Sequence, residues 1–124
     1  MKKPNWPYSW HWTEVDELRL SGAARDLDNL ASEISSIAST CCNEGKSSLS
    51  SELITDAGTH FEDELKLWKQ KIDSDVVANL NAAAAAIRNT IEERKTLWDC
   101  YWEECRSFNE WAKENGEELI EFLF

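Results

Sequence analysis

Residues 20–41 read LSGAARDLDNLASEISSIASTC and decide the fold. Their apolar side chains recur at alternating steps of four and three, at Leu20, Ala24, Leu27, Ala31, Ile34, Ala38 and Cys41. This period places them on one stripe of an α-helix. Because an apolar stripe of this length has to be buried against another helix, the segment predicts helix–helix packing.

A second stripe of the same period follows a polar break. It consists of Ile54, Ala57, Phe61, Leu65, Trp68, Ile72, Val76, Leu80, Ala83, Ile87 and Ile91. Residues 13–124 contain no proline, so no residue of that type interrupts a helix in this range. We therefore predict an all-α fold, an antiparallel helical hairpin whose second helix is continuous or gently bent, with an aromatic N-terminal arm and a short C-terminal helix.

The local signals predict one helical domain with defined segments. Thr13 followed by Asp16 resembles a capping box at the start of helix 1. Gly45 lies in a polar run that predicts a turn, and Gly116 predicts a helix stop. The expected segments are an arm over 1–12, helix 1 over 13–42, a long or broken helix 2 over 51–115, and a tail over 117–124. A break at Asp73-Ser74-Asp75 would instead give three helices.

The arm carries four alternating aromatic residues, Trp6, Tyr8, Trp10 and Trp12. In an extended segment, alternate side chains share one side. Two interpretations remain open. The arm is either a strap over the helices or an anchor for a partner, since tryptophan and tyrosine are enriched at interface hot spots.

The charge balance narrows the classes of partner. The chain has 24 acidic and 13 basic residues, for a formal net charge of −11. Such a chain is repelled by nucleic acids and anionic membrane surfaces, so we expect neither as a partner. We find no apolar run long enough for a secretory signal or a membrane span. We expect synthesis in the cytoplasm and, if the protein is exported, a route without a cleaved signal peptide.

The cysteines form two pairs, Cys41 with Cys42 and Cys100 with Cys105. Free thiols, a disulfide between the pairs and a zinc site of four thiolates are the alternatives. A disulfide between the pairs requires the three-helix topology, because a continuous hairpin separates them by about 65 Å.

The sequence shows no constellation of catalytic groups and no cofactor motif. Phosphate-binding loops, HExxH and nucleophile elbows are missing. His11 and His60 are the only histidines, and the consecutive acids Glu62, Asp63 and Glu64 would point in different directions around a helix. We therefore expect no enzymatic activity, no metal and no cofactor.

The order of these features resembles the small helical hairpins of type VII (ESX) secretion, the Trp-x-Gly family. The matching parts are the acidic–basic helix start at residues 16–19, the polar stretch at 44–49, Phe61 seven residues before Trp68, and a Leu/Ala-rich second helix. The Trp-x-Gly turn itself is absent, and Tyr101 is followed four residues later by Cys105 instead of the acid of the family's export signal. The resemblance implies an antiparallel hairpin that pairs with a second hairpin.

We therefore predict a non-enzymatic interaction protein, a type VII substrate or escort, that forms a homo- or heterodimer with another helical hairpin or binds a helical domain of a toxin. An acidic immunity or inhibitor protein and a spectrin-like three-helix repeat are the alternatives. The predicted interface consists of Leu27, Ile34, Phe61, Leu65, Trp68, Ala83, Ile87, Trp98 and Trp102.

Overall fold

The computed structural model describes residues 1–52 and 56–121, except for the side chains of residues 48–52, 56 and 57. It contains α1 (Glu14–Glu52), α2 (Asp56–Lys71), a π-helical segment (Ile72–Val77) and α3 (Ala78–Asn115). No strand occurs in this described part of the chain. The predicted all-α class, with two long helical stretches, is confirmed.

The chain divides into two compact units. The hairpin unit is Leu20–Arg88, and the arm unit is Met1–Arg19 together with Asn89–Phe124. We describe each unit by itself.

A reciprocal capping box starts α1. The Asp16 backbone N–H donates to Thr13 Oγ1 at 3.2 Å, and the Thr13 backbone N–H donates to Asp16 Oδ2 at 3.0 Å. Both groups would otherwise be unpaired at a helix N-terminus. The sequence signal thus has its expected structural role.

The predicted end of helix 1 at Cys42 is wrong, since α1 continues to Glu52. Gly45 does not form a turn. Among the described residues, Gly116 alone has a positive φ. A Cβ added to Gly45 would lie 2.7 Å from Leu65 Cδ1, so the glycine allows α2 to approach closely. The predicted restart near residue 51 is also wrong, because that residue belongs to α1 and α2 begins at Asp56.

The second helical stretch passes through Asp73-Ser74-Asp75 without a turn. These residues lie in the π-helical segment, which joins α2 to α3. A π-helix takes more residues per turn than an α-helix, so it shifts the phase of every later side chain. The spectrin-like alternative required a turn here, and the helical path shows none from Asp56 to Asn115.

The hairpin unit is packed through small side chains. The buried apolar residues are Ala24, Ala31, Ala38 and Cys42 on α1 and Ala84 on α3. The first stripe predicted from the sequence is therefore buried at its alanines, but Cys42 replaces the predicted Cys41, which is exposed. Ile54 and the side chain of Ala57, from the second stripe, lie outside the described residues.

The arm unit is packed through large side chains. Its buried residues include Trp12, Trp98 and Phe108, together with Ile91, Cys105 and Ala112.

The C-terminal end of α3 is closed by Gly116, where φ is 68° and the Glu117 N–H donates to the Ala112 carbonyl at 2.9 Å. This is a Schellman ending. The predicted short C-terminal helix is wrong for residues 117–121, which are not helical; residues 122–124 lie outside the described range.

Candidate protein-binding face

The two helical stretches of the hairpin unit run antiparallel and meet along one polar edge. Arg88 Nη2 lies 2.6 Å from Asp28 Oδ2, and Ser35 Oγ donates to Asp73 Oδ1 at 3.2 Å. As residue numbers rise along α1, the numbers of the residues it contacts fall, so the second helical stretch runs antiparallel to α1. We call this second stretch, which consists of α2, the π-helical segment and the first part of α3, the return path. A shallow cleft on this side is lined largely by serines of α1, with Asn81.

The Asp73 carboxylate organises part of this polar edge. It accepts a hydrogen bond from Lys69 Nζ at 2.7 Å, in addition to the one from Ser35. The bond from Lys69 is the main cause that holds the pKa of Asp73 below its usual value. This carboxylate sits inside the π-helical segment and fixes that segment against α1.

The other edge of α1 is apolar. Leu27, Leu30, Ile34 and Ile37 recur at steps of three and four, so they share one stripe. Each of Asp28 and Ser35 comes one residue after a member of this stripe and therefore points about 100° away from it. The alanines of the core lie between the two edges.

The return path carries a matching apolar edge. Its members are Phe61, Leu65 and Trp68 on α2, Val76 in the π segment, and Leu80, Ala83 and Ile87 on α3. Ile87 precedes Arg88, so this edge also lies opposite the polar contacts. Since both polar edges meet on one side of the pair, both apolar edges border the opposite side. We call this surface the apolar face.

Large side chains on the apolar face are exposed. The exposed fractions are 45% for Leu30, 63% for Ile37, 51% for Phe61 and 43% for Trp68. Leu27, Ile34, Leu65 and Ile87 are half-buried beside them. A contiguous surface of this kind is typical of a protein-binding site.

Seven of the nine residues predicted for the interface lie on the apolar face. Leu30, Ile37 and Val76 are also exposed there but were not among the predicted interface residues. A signal was present for the first two. Leu30 and Ile37 are seven residues apart, as Phe61 and Trp68 are, and each comes directly before a residue of the buried stripe.

The other two predicted residues, Trp98 and Trp102, belong to the arm unit. Trp98 is only 8% exposed, so it is unavailable for a partner and this prediction is corrected. The Trp98 ring lies 4.9 Å from that of Trp6, and the Trp6 ring also contacts Tyr101 at 5.1 Å. The arm therefore packs on α3 as a strap.

The arm's fold is reinforced by its own contacts. Trp6 Nε1 donates to the Trp10 carbonyl at 2.6 Å, and the rings of Tyr8 and Trp10 stack at 5.2 Å. The Arg94 guanidinium lies 4.5 Å from the centre of the Trp10 ring, a cation–π contact. Tyr8 remains 43% exposed.

The four cysteines are free in the structure. Cys42 and Cys105 are buried, whereas Cys41 and Cys100 are exposed. Burial raises the pKa of Tyr101 above its usual value, and a side-chain hydrogen bond with Cys105 acts in the same direction. No group of three metal-ligating side chains occurs among the described residues.

The histidines occupy ordinary positions. His60 is exposed, with Nε2 3.7 Å from Glu64 Oε1, and His11 packs against the Trp98 ring at 5.4 Å.

None of the helices within residues 1–52 and 56–121 is both long enough and apolar enough to cross a membrane.

Comparison of the chain with protein-family models found no match, and comparisons with curated proteins and with solved structures found none either.

Proposed function

We propose that this chain is a non-enzymatic helical interaction protein, a type VII secretion substrate or escort, whose hairpin unit pairs with a second helical hairpin. The observation that carries this proposal is the apolar face. It runs along both helical stretches of the hairpin unit, so a second pair of helices matches it in shape. Pairing would produce a four-helix bundle, in which each face becomes core.

The area of the apolar face suits such a partner. Leu30, Ile37, Phe61 and Trp68 together leave on the order of 400 Å² of side chain in water. The half-buried side chains between them add to this surface. A standard interface buries about 800 Å² on each partner, which is within reach once the borders of the face are included.

The border of the apolar face on α1 is acidic. Asp26 and Glu33 are exposed and lie one turn from Leu30 and Ile37, where i, i+4 neighbours meet. We therefore infer that the partner carries lysine or arginine beside its apolar stripe. Opposite charges at the rim would raise the association rate more than the affinity.

The acidic border also supports a second candidate, an immunity or inhibitor protein that captures a basic helical domain of a toxin. The two candidates use the same face and differ in the partner. A hairpin partner would contact the whole apolar face. A basic toxin domain would in addition contact acidic residues of this chain that lie outside the face.

A binding experiment with matched variants tests the proposal. The chain is mixed with each small helical-hairpin protein encoded beside it, and affinity is measured by calorimetry for the wild type, Phe61→Glu/Trp68→Glu and Leu67→Glu. Leu67 is 59% exposed but lies about 100° around α2 from Trp68, away from the apolar face.

We expect the double variant to lose at least about 100-fold in affinity, because each aromatic is placed as a hot spot. Leu67→Glu should bind like the wild type. Equal losses in both variants, or no binder among those hairpins for a wild-type chain that is monomeric and highly stable, would refute the proposal.

A further inference from the structure

The described part of the C-terminal tail is held to α3 by one side chain that binds its backbone. The Ile120 N–H donates to Asn109 Oδ1 at 2.8 Å, and Asn109 Nδ2 donates to the Ile120 carbonyl at 3.1 Å. The Asn109 amide thus satisfies both backbone groups of one residue. This contact lies in the arm unit and is independent of the apolar face.

The geometry of this pair of bonds indicates an extended segment. The N–H and C=O of one residue point in opposite directions along a helix, but they lie on the same edge of an extended chain. A neighbouring β-strand uses the same two groups in an antiparallel pair. Asn109 therefore takes the place of a strand and recognises backbone without regard to the side chain.

The two apolar side chains in the described part of the tail are not well buried. Leu119 is 42% exposed and Ile120 is only half-buried. A segment that served only to complete the core would bury its apolar side chains. The described tail is attached through two neutral hydrogen bonds with little apolar burial, and segments of this kind open at a low free-energy cost.

The charges near Asn109 complement those of the tail. Arg106 and Lys113 lie three residues before and four after Asn109, so they share its side of α3. Arg106 Nη1 also forms an exposed ion pair with Glu103 at 2.7 Å. In the tail, Glu118 and Glu121 flank the Leu119-Ile120 pair.

We propose that Asn109, with Arg106 and Lys113, forms a binding site for an extended, acidic peptide segment of a partner protein, and that the chain's own tail is the resident occupant which this segment replaces. The partner segment has the chemistry of the tail, an apolar pair between carboxylates with a free backbone N–H and C=O. Tethering gives the tail an effective concentration in the millimolar range, so it acts as a competitor until the partner segment is present.

The test uses the full chain with its tail weakened. Ile120→Pro removes the backbone N–H that donates to Asn109, and proline tolerates an extended backbone. The probe is a fluorescein-labelled peptide with the sequence of residues 117–124, and its binding is followed by fluorescence anisotropy. We expect the Ile120→Pro chain to bind the peptide at least 10-fold more tightly than the wild type does.

Two further chains assign the site. Ile120→Pro/Asn109→Ala should lose at least 10-fold of that affinity, whereas Ile120→Pro/Asn115→Ala should keep it. Asn115 is the matched control, since its amide donates to the Trp111 carbonyl at 2.8 Å rather than to the tail. A peptide with proline at the position of Ile120 should bind none of the chains.

Several results would overturn the proposal. One is equal peptide binding with and without Asn109, and another is no binding by an Ile120→Pro chain whose circular dichroism is unchanged. A third comes from sedimentation of the wild type. If the chain is a dimer that Asn109→Ala converts to a monomer, the tail of a second copy is the occupant, and the assignment to a partner protein is wrong.

Discussion

The hairpin unit and the arm unit bury different kinds of side chain. In the hairpin unit, Ala24, Ala31 and Ala38 are at most 3% exposed, while Ile37 and Phe61 are more than half exposed. In the arm unit, Trp12 and Trp98 are buried. Since the hydrophobic stabilisation scales with the apolar area removed from water, an alanine contact contributes much less than a tryptophan contact. The core of the arm unit is therefore made of large side chains and that of the hairpin unit of small ones, and the two cores should respond differently to substitution.

The strongest test of this comparison replaces the same residue type in each unit. Trp98→Ala removes a buried ring and should lower the free energy of unfolding by about 3–5 kcal/mol. Trp68→Ala removes a ring that is 43% exposed, and it should change the stability of the isolated chain by no more than about 1 kcal/mol. Urea unfolding followed by circular dichroism measures both, and equal losses would break the comparison.

The second test enlarges a small side chain in the core of the hairpin unit. Ala31 is 1% exposed, so Ala31→Leu forces extra carbon atoms between closely packed helices. We expect a loss of about 1–3 kcal/mol. Ala85→Leu is the control, because Ala85 is exposed on α3 and should accept leucine with a change within about 0.5 kcal/mol. A neutral Ala31→Leu would show that the helices are not in close contact at this level.

The third test uses two helical glycines. At Gly22 the nearest atom to an added Cβ is Arg25 Nη2 at 4.0 Å, so Gly22→Ala should stabilise the chain by roughly 0.5–1 kcal/mol through helix propensity. At Gly45 the added Cβ meets Leu65 Cδ1 at 2.7 Å, and this contact should offset the same gain.

A double-mutant cycle shows whether Leu65 is the cause. In a Leu65→Ala background, Gly45→Ala should stabilise as Gly22→Ala does, so the two substitutions are non-additive. If Gly45→Ala stabilises the wild type equally well, the close approach of α1 and α2 at Gly45 is not what limits this position.

The sequence predicted that α1 is a helix with an apolar stripe, but not which edge of that stripe faces the second helical stretch. The step of three or four residues located the buried alanines of α1, because it follows from helix geometry alone. It could not place the end of α1. Gly45 is compatible with a left-handed cap and with a close contact, and only the position of Leu65 on the other helix distinguishes them.

The return path shows a second limit of sequence patterns. The predicted stripe ran through Val76 and Ala83, yet Val76 is 38% exposed and Ala84 is the buried alanine. The π-helical segment adds a residue to its turn and moves the inward-facing position by one. No composition signal marks this segment, because it is held by Asp73 through contacts with Lys69 and with Ser35 of α1.

The exposure of the candidate site also could not be predicted from residue spacing. The spacing of Phe61 and Trp68 placed both on one stripe, and the prediction that they contact a partner stays a prediction. Their exposure depends on how α2 is rotated about its axis against α1, which is set by the close contact at Gly45 and the polar contacts of Asp73. Contacts between residues so distant in sequence leave no periodic signal.

The smallest expected effect concerns the polar edge of the hairpin unit, where Asp73 has a lowered pKa because of its bond to Lys69. A carboxyl group with a lowered pKa in the folded state stabilises that state above its unfolded pKa of 3.8. This contribution decreases as the pH falls from that value through the folded one, because the unfolded state then binds the proton more readily. The effect is small, since the pair is partly exposed and screened by water.

We expect Asp73→Asn to flatten the loss of stability between pH 5 and pH 2, as measured by urea unfolding at each pH. Lys69→Met should flatten it in the same way, and the two together should add little. A Lys69→Met chain with the slope of the wild type would show that Lys69 does not hold the carboxylate, and the polar edge would then need another account of why the π-helical segment forms there.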